Sequence, residues 1–299
     1  MPRDLVPRAR RVVVKIGTRV VTGDDNRPDR EAIHAVTGQV RGHLEGRQFI
    51  IVSSGAIAFG LGRMSLGRRP QEIDLLQAAA ALGQSRMMFA YESEFEGSGH
   101  PIAQILLTRE DIQDRRRYLN IRNTIFTLWE MGGIPIVNEN DSVSFEEIRF
   151  GDNDLLAAHL ANMIDADLLL ILTDIEGVYD RDPRRFPDAK ILPEISGITD
   201  QIREGATGKG SHLSSGGMES KLRAAEIAMK SGVGVIIASG RTLDLGGILR
   251  GRELGTYFVP SGKRIRGRKK WIAFNPRVEG KLVIDRGGGR AIVGEKKSL

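Results

Sequence analysis

Six short runs in this chain are apolar almost throughout: 11–16 (RVVVKI), 48–53 (QFIIVS), 102–107 (IAQILL), 134–138 (IPIVN), 167–173 (DLLLILT) and 233–238 (VGVIIA). A strand with one face in water alternates apolar and polar residues, whereas a strand covered on both faces does not. The runs therefore read as buried strands of a parallel sheet. Parallel strands need long crossovers, and helix-like segments lie between the runs at 29–45, 73–95, 116–131, 154–164 and 217–231. The alternation predicts an α/β fold, an αβα sandwich with an open, mostly parallel sheet. Ligands in such sheets sit at the C-terminal strand ends, so the residues leaving each run are the ones to inspect.

Bulk properties narrow the function classes. A chain of 299 residues, 40% hydrophobic and 27% charged, has the material for a sizeable core. It holds no cysteine, which removes disulfides, thiol nucleophiles and thiolate metal sites. No apolar run approaches the roughly 18 residues of a membrane span. The opening MPRDLVPRARR is basic but lacks the apolar stretch of a signal peptide. The expectation is a cytoplasmic protein with no membrane partner. Of the net charge of +6, residues 261–299 carry 12 Lys/Arg against 3 Asp/Glu, leaving 32 against 35 in the first 260. A mildly acidic body argues against nucleic acid as a partner; RNA binding through the basic tail is the remote alternative. The strand–helix rhythm breaks near Pro260. Residues 1–260 read as one domain and 261–275 as a basic linker. Residues 276–299, two strand-like runs around a Gly-rich turn, read as a β stub too short to bury a core alone.

Five constellations follow strand-like runs or open helices. Lys15-Ile16-Gly17-Thr18 offers a point charge and accessible amides to a phosphate, or is an ordinary turn after a solvated lysine. Ser53-Ser54-Gly55-Ala56 exposes amide donors at a strand-to-helix turn, or is a plain N-cap by Ser53 or Ser54. Asn138-Glu139-Asn140-Asp141 and Gly151-Asp152-Asn153-Asp154 suit a site that grips an ammonium group and organises cations, or are solvated loops. Thr173-Asp174 reads as a nucleotide contact or as the start of a β-turn. Ser214-Ser215-Gly216-Gly217-Met218-Glu219-Ser220-Lys221 is a glycine loop feeding a helix, with Lys221 on the face of Gly217; helix N-terminus and ammonium can address one phosphate. The bland reading of this segment is a mobile surface loop. The nearby GATGKGS is no P-loop, because positions 203 and 210 are Arg and Gly.

Two lysines, two glycine turns and a carboxylate cluster, with no evident base, suggest phosphoryl transfer. A carboxylate acceptor accounts for the missing base, since it is already ionised at pH 7. The histidines His34, His43, His100, His159 and His212 are scattered, and Trp129 and Trp271 read as packing residues.

KIGT, SSGAIAFG, LLTREDIQDRRRYLNIRNT, VNENDSV, FGDND, LLTDIEGVYDRDPR and SSGGMESK, in this order, resemble the amino-acid kinase family over about residues 11–274. The complete set is similar to its glutamate-phosphorylating members; acetylglutamate kinase is the nearest alternative. The resemblance implies the amino-acid kinase fold and ATP, L-glutamate and Mg²⁺ as ligands, with Mg²⁺ on the ATP phosphates and no metal ligand assigned. It implies L-glutamyl 5-phosphate as product, in the first step of proline synthesis. Lys15 and Lys221 would flank the transferring phosphoryl group, and Asp154 would orient them. Ser54, Asp141 and Asn153 would hold glutamate. Lys15, Thr173, Asp174, Ser215, Gly216, Gly217, Met218, Glu219, Ser220 and Lys221 would hold ATP. A homo-oligomer, dimer or tetramer, and feedback inhibition by L-proline are further implications. Two features depart from the family pattern. The glycine loop opens with Ser215 in place of the usual threonine, and 276–299 matches only the start of a PUA-like domain.

Overall fold

The computed structural model describes residues 2–23, 27–64, 70–143, 153–183, 185–207, 217–261, 271, 272, 284, 285, 287 and 290–294. Eight strands make one sheet: β1 (Arg11–Ile16), β2 (Gln48–Ser53), β3 (Ile102–Leu107), β4 (Ile134–Glu139), β5 (Leu168–Thr173), β6 (Glu194–Ile195), β7 (Gly234–Ser239) and β8 (Thr256–Phe258), in the order β3-β4-β2-β1-β5-β7-β8-β6. All paired neighbours run parallel except β7 and β8. β1 sits centrally, with Val14 in register with Ile51 on one side and Leu170 on the other.

The helices are α1 (Thr18–Val21), α2 (Arg30–Arg41), α3 (Ala56–Met64), α4 (Ile73–Phe95), α5 (Arg109–Gln113), α6 (Arg115–Glu130), α7 (Asn153–Met163), α8 (Asp200–Thr207), α9 (Met218–Lys230) and α10 (Leu245–Leu249). Successive strand residues point to opposite faces, and each face has its own core. Val13, Ile50 and Leu169 pack with Ile125 of α6, Leu160 of α7 and Leu222 of α9. Val12, Val14 and Leu170 pack with Val36 of α2, Met87 and Tyr91 of α4 and Ile248 of α10. This is the sandwich that the fully apolar runs predict.

Three strands and α4 fall on the predicted residues, and the other predicted elements shift by a few residues at their ends. β6 and β8 were not foreseen, because two and three residues carry no readable period. The linker at 261–275 and the stub at 276–299 lie largely outside the described residues; within the stub, Arg290–Gly294 is described and forms a π-helical turn where a second strand was expected. Trp271, which is described, packs on the α5–α6 corner: its Nε1 donates to the Ile112 carbonyl (3.4 Å), and the Arg115 guanidinium lies 5.4 Å from its ring centre. Trp129 donates to the Phe49 carbonyl at 3.0 Å. No helix among the described residues is long and apolar enough to cross a membrane.

One packing contact bears directly on the strand-end turns. A Cβ added at Gly60 of α3 would lie 1.8 Å from the Ala79 carbonyl oxygen, and one at Gly83 of α4 1.8 Å from that of Ala56. The two helices therefore meet backbone to backbone, and only glycine fits at either point. The far side of α4 is different: Leu75, Leu82 and Phe89, seven residues apart, are 39%, 52% and 61% exposed and form an apolar stripe on one helix face.

Gly83→Ala forces α3 away from α4 and is expected to destabilise the protein by about 1–3 kcal/mol, the range for overpacking. Gly197→Ala, where an added Cβ meets nothing within 4 Å, serves as the control and should change stability by no more than about 0.5 kcal/mol. Equal urea midpoints for the two variants would remove the claim.

Candidate active site

The parallel strands β4, β2, β1 and β5 are neighbours and end along one edge of the sheet. Lys15, the penultimate residue of β1, is only 6% exposed. Its Nζ lies 2.7 Å from Oδ1 of Asp154, which is 1% exposed in the first turn of α7. Lys221, one turn into α9 and 6% exposed, places its Nζ 3.2 Å from Oδ2 of the same carboxylate. Ser220 Oγ donates to that oxygen at 3.3 Å. The pull of Lys15 on this carboxylate is chiefly coulombic, with a smaller hydrogen-bonding contribution. Burial works to raise the Asp154 pKa; attraction to Lys15 and Lys221 outweighs it and holds the carboxyl below its usual range. One buried carboxylate thus fixes two ammonium groups at the sheet edge.

Beside this triad lies a chain of amides. Asn153 Nδ2 donates to Ser54 Oγ and to Asn138 Oδ1, both at 2.9 Å, and lies 3.3 Å from the Ser53 carbonyl oxygen. Asn138 Nδ2 donates to Gln84 Oε1 at 2.8 Å. The Ser54 turn is held open by Gly55, whose φ of 116° suits glycine. Ser53 and Ser54 are not spent on capping: Ser53 Oγ bonds the Tyr91 hydroxyl at 2.8 Å, and Ser54 Oγ receives Asn153. Burial pushes the Tyr91 pKa up to about 12, against a smaller lowering by Ser53, so this hydroxyl stays protonated. Asp141 opens the turn after β4, next to Asn140, whose N–H donates to the Leu107 carbonyl at 2.8 Å.

On the other side of β1, Thr173 ends β5 and its Oγ1 donates to Asp174 Oδ1 at 3.0 Å. Arg19 of α1 pairs with Asp174 Oδ2 at 2.8 Å. Burial raises the Asp174 pKa, but hydrogen bonds from Arg19 and Thr173 prevail and lower it. Gly217 is the N-cap of α9, Met218 packs on the core, and Glu219 pairs with Arg203 at 2.7 Å. Ser215 and Gly216 lie outside the described residues.

The structure therefore brings Lys15, Asp154 and Lys221 together, and Ser54 and Asn153 together. It places Asp141, Thr173 and Asp174 at the same strand-end edge. Sequence reasoning gave no part to Gln84, which carries no local signal in mid-helix, or to Arg19. Asn138 lay inside a quoted segment without a role.

Among the described residues, no group of three His, Asp or Glu side chains is placed to hold a metal ion. Asp154 faces a lysine on each oxygen, and Asp174 faces Arg19 and Thr173. That donor set fits a Mg²⁺ ion held mainly by nucleotide phosphates and water rather than by a protein cage.

The sequence profile of the amino acid kinase family matches residues 10–239. Glutamate 5-kinase of Myxococcus xanthus is 45% identical over 298 residues, covering 99% of this chain and 79% of its own. Glutamate 5-kinase of Geobacter sulfurreducens is 45% identical over 301 residues, covering 100% and 81%. Among solved structures, carbamate kinase from Giardia lamblia bound to AMP-PNP superposes with a TM-score of 0.61 at 16% identity, over 85% of this chain and 99% of that one. UMP kinase from Bacillus anthracis gives 0.53 at 13% identity, over 85% and 97%. At those identities the structural likeness is one of fold.

The lowered pKa of Asp154 has a signed consequence. Its contribution to stability is complete above the unfolded carboxyl value of about 3.9 and is lost as pH falls through the lower, folded value. Asp154→Asn removes that contribution and takes from two buried ammonium groups the carboxylate they share, an expected loss of about 3–5 kcal/mol at pH 7. Urea unfolding against pH checks this: the parent should lose stability in acid more steeply than the variant. Parallel curves would show that the triad adds nothing to the folded state.

Proposed function

Because this chain belongs to the amino acid kinase family, we propose that it is a glutamate 5-kinase, transferring the γ-phosphoryl group of ATP to the side-chain carboxylate of L-glutamate. The products are ADP and L-glutamyl 5-phosphate, in the first step of proline biosynthesis. The observation that carries the reading is the pair of buried ammonium groups joined through Asp154, beside the Ser54–Asn153 amide cluster.

The chemistry follows from those residues. The γ-carboxylate of glutamate is ionised at pH 7 and needs no general base. One of its oxygens attacks the γ-phosphorus, the bond from that phosphorus to the bridging oxygen breaks, and ADP departs with the electron pair. Lys15 and Lys221 stand where negative charge spreads over the moving phosphoryl group, and charge fixed in advance costs no reorganisation during the step. Asp154 holds both lysines and touches neither substrate. Ser54 and Asn153 grip the amino-acid end, with Asp141 as partner for the ammonium. Thr173, Asp174 and residues 215–221 take ATP. Mg²⁺ bound to the ATP phosphates would supply further neutralisation of their charge.

An acetylated substrate would not need a carboxylate partner for its nitrogen, which sets acetylglutamate second to glutamate. The apolar stripe of Leu75, Leu82 and Phe89 supports a homo-oligomer, since a second copy would cover it; a monomer-sized species in sedimentation velocity would reject this. Feedback by L-proline is part of the same proposal: added L-proline should lower the hydroxamate yield in the assay below, and an unchanged yield would reject it.

With ATP and Mg²⁺, hydroxylamine trapping should give a hydroxamate from L-glutamate, and little from N-acetyl-L-glutamate or L-aspartate. ADP release with UMP completes the panel. A good yield from another acid, with none from glutamate, overturns the substrate assignment. Lys15→Ala and Lys221→Ala are expected to lower kcat by about 10²-fold or more with a smaller change in the KM for glutamate. Equal loss in both would mean that the lysines bind the ground state and the transition state alike.

A further inference from the structure

We propose that Gln84, a residue of α4, is a positioning residue for the amino-acid substrate: it fixes which way the amides of Asn138 and Asn153 face. The inference rests on the glutamate 5-kinase reading above and adds a specificity determinant to the same site.

A primary amide offers an oxygen that only accepts and a nitrogen that only donates. In a row of amides each orientation therefore dictates the next. The row here runs from the Ser53 carbonyl at one end to Gln84 at the other. At one end, Asn153 Nδ2 lies 3.3 Å from the Ser53 carbonyl oxygen, which can only accept. Asn153 must therefore turn its nitrogen inward, where it also meets Ser54 Oγ and Asn138 Oδ1, both at 2.9 Å. Asn138 then has its oxygen committed, and its Nδ2 faces away, toward α4. Asn138 is 2% exposed, so that nitrogen has no water to turn to. Gln84 Oε1 accepts from it at 2.8 Å and closes the row.

The consequence falls on the atom left over. Asn153 is 8% exposed, and its Oδ1 has no hydrogen-bond partner among the described residues. An acceptor at this position suits an ammonium donor. Ser54 Oγ, already accepting from Asn153, keeps its own hydrogen to give to a carboxylate. One spare acceptor beside one spare donor is the complement of a zwitterionic α-amino acid. Without Gln84 as acceptor, the Asn138 amide gains by turning over. Its Nδ2 would then face Asn153 Nδ2, donor against donor. The Asn153 amide must rotate or move, and either response spoils the acceptor. Gln84 is itself held firmly, because the preceding residue, Gly83, is the point where α4 touches the backbone of α3.

The test separates this role from a purely structural one. Gln84→Met keeps the volume and removes the acceptor; Gln84→Glu keeps an acceptor. KM for glutamate should rise about tenfold in Gln84→Met, equivalent to about 1.4 kcal/mol, with KM for ATP unchanged and kcat altered less. Gln84→Glu should restore KM to within about threefold of the parent, taking roughly half a decade as the resolvable margin. In an Asn138→Ala background, Gln84→Met should add nothing, since Gln84 acts through Asn138. A parent-like KM in folded Gln84→Met, or additive effects in the double variant, overturns the proposal. If Gln84→Met does not fold, Gln84→Glu decides, and a tenfold rise there overturns it too. Absence of glutamate turnover in the parent would fail the glutamate 5-kinase reading instead; the same KM comparison is then made with the acid that the parent does phosphorylate.

Discussion

The Asp154 carboxylate, with an ammonium group at each oxygen, is the contact on which the rest of the site depends. It joins β1, α7 and α9, whose contributing residues lie far apart in the chain at 15, 154 and 221. Burying three charges costs several kcal/mol per ion, and only close mutual contact offsets it. A well-packed apolar trio would hold the same three elements at least as well. The triad is thus a poor device for stability and a good one for chemistry. It keeps two cations dehydrated and fixed in place, as the proposed phosphoryl transfer would require.

The other half of the site depends on close approach rather than charge. α3 leaves β2 through Ser54 and Gly55, and α4 lies against α3 at Gly60 and Gly83, where no Cβ fits. That contact sets the height of α4 above the sheet. Tyr91 can then reach Ser53, and Gln84 can reach Asn138. Small residues in two helices therefore determine where polar groups stand at two strand ends. Loosening the helix pair would disturb the amide row even though neither glycine faces it.

The sheet centre was legible in the sequence because its strands are buried on both faces, so their apolar runs carry no competing polar signal. α4 was legible because its 23 residues are rich in strong helix formers such as Ala, Leu, Gln and Met and hold no proline. β6 and β8 were not, since at two and three residues their pairing is decided by neighbours and not by their own pattern. At the site, Lys15, Asp154 and Lys221 were readable as three separate motifs, each with an ordinary explanation. Only the fold reveals that they share one carboxylate. Gln84 was unreadable for a deeper reason: its proposed role lies in how two other amides are turned, and sequence records residue types, not the direction in which an amide points. Arg19 was missed because a lone arginine after a glycine turn looks solvated, as its side chain largely is (79% exposed).

The remaining charges at the strand ends follow the same logic as the triad. Asp174 stands at the end of β5, on the side assigned to ATP, where an uncompensated carboxylate would repel phosphate. It is kept ionised by hydrogen bonds from Arg19 and Thr173, so its negative charge is answered within the protein before any ligand arrives. Arg19 is exposed and therefore able to move, whereas Lys15 and Lys221 are buried and are not. Under the proposed function, the buried lysines stand at the reacting phosphoryl group, whose position must not vary, and the exposed Arg19–Asp174 pair stands at the nucleotide, which must enter carrying one charge state and leave carrying another.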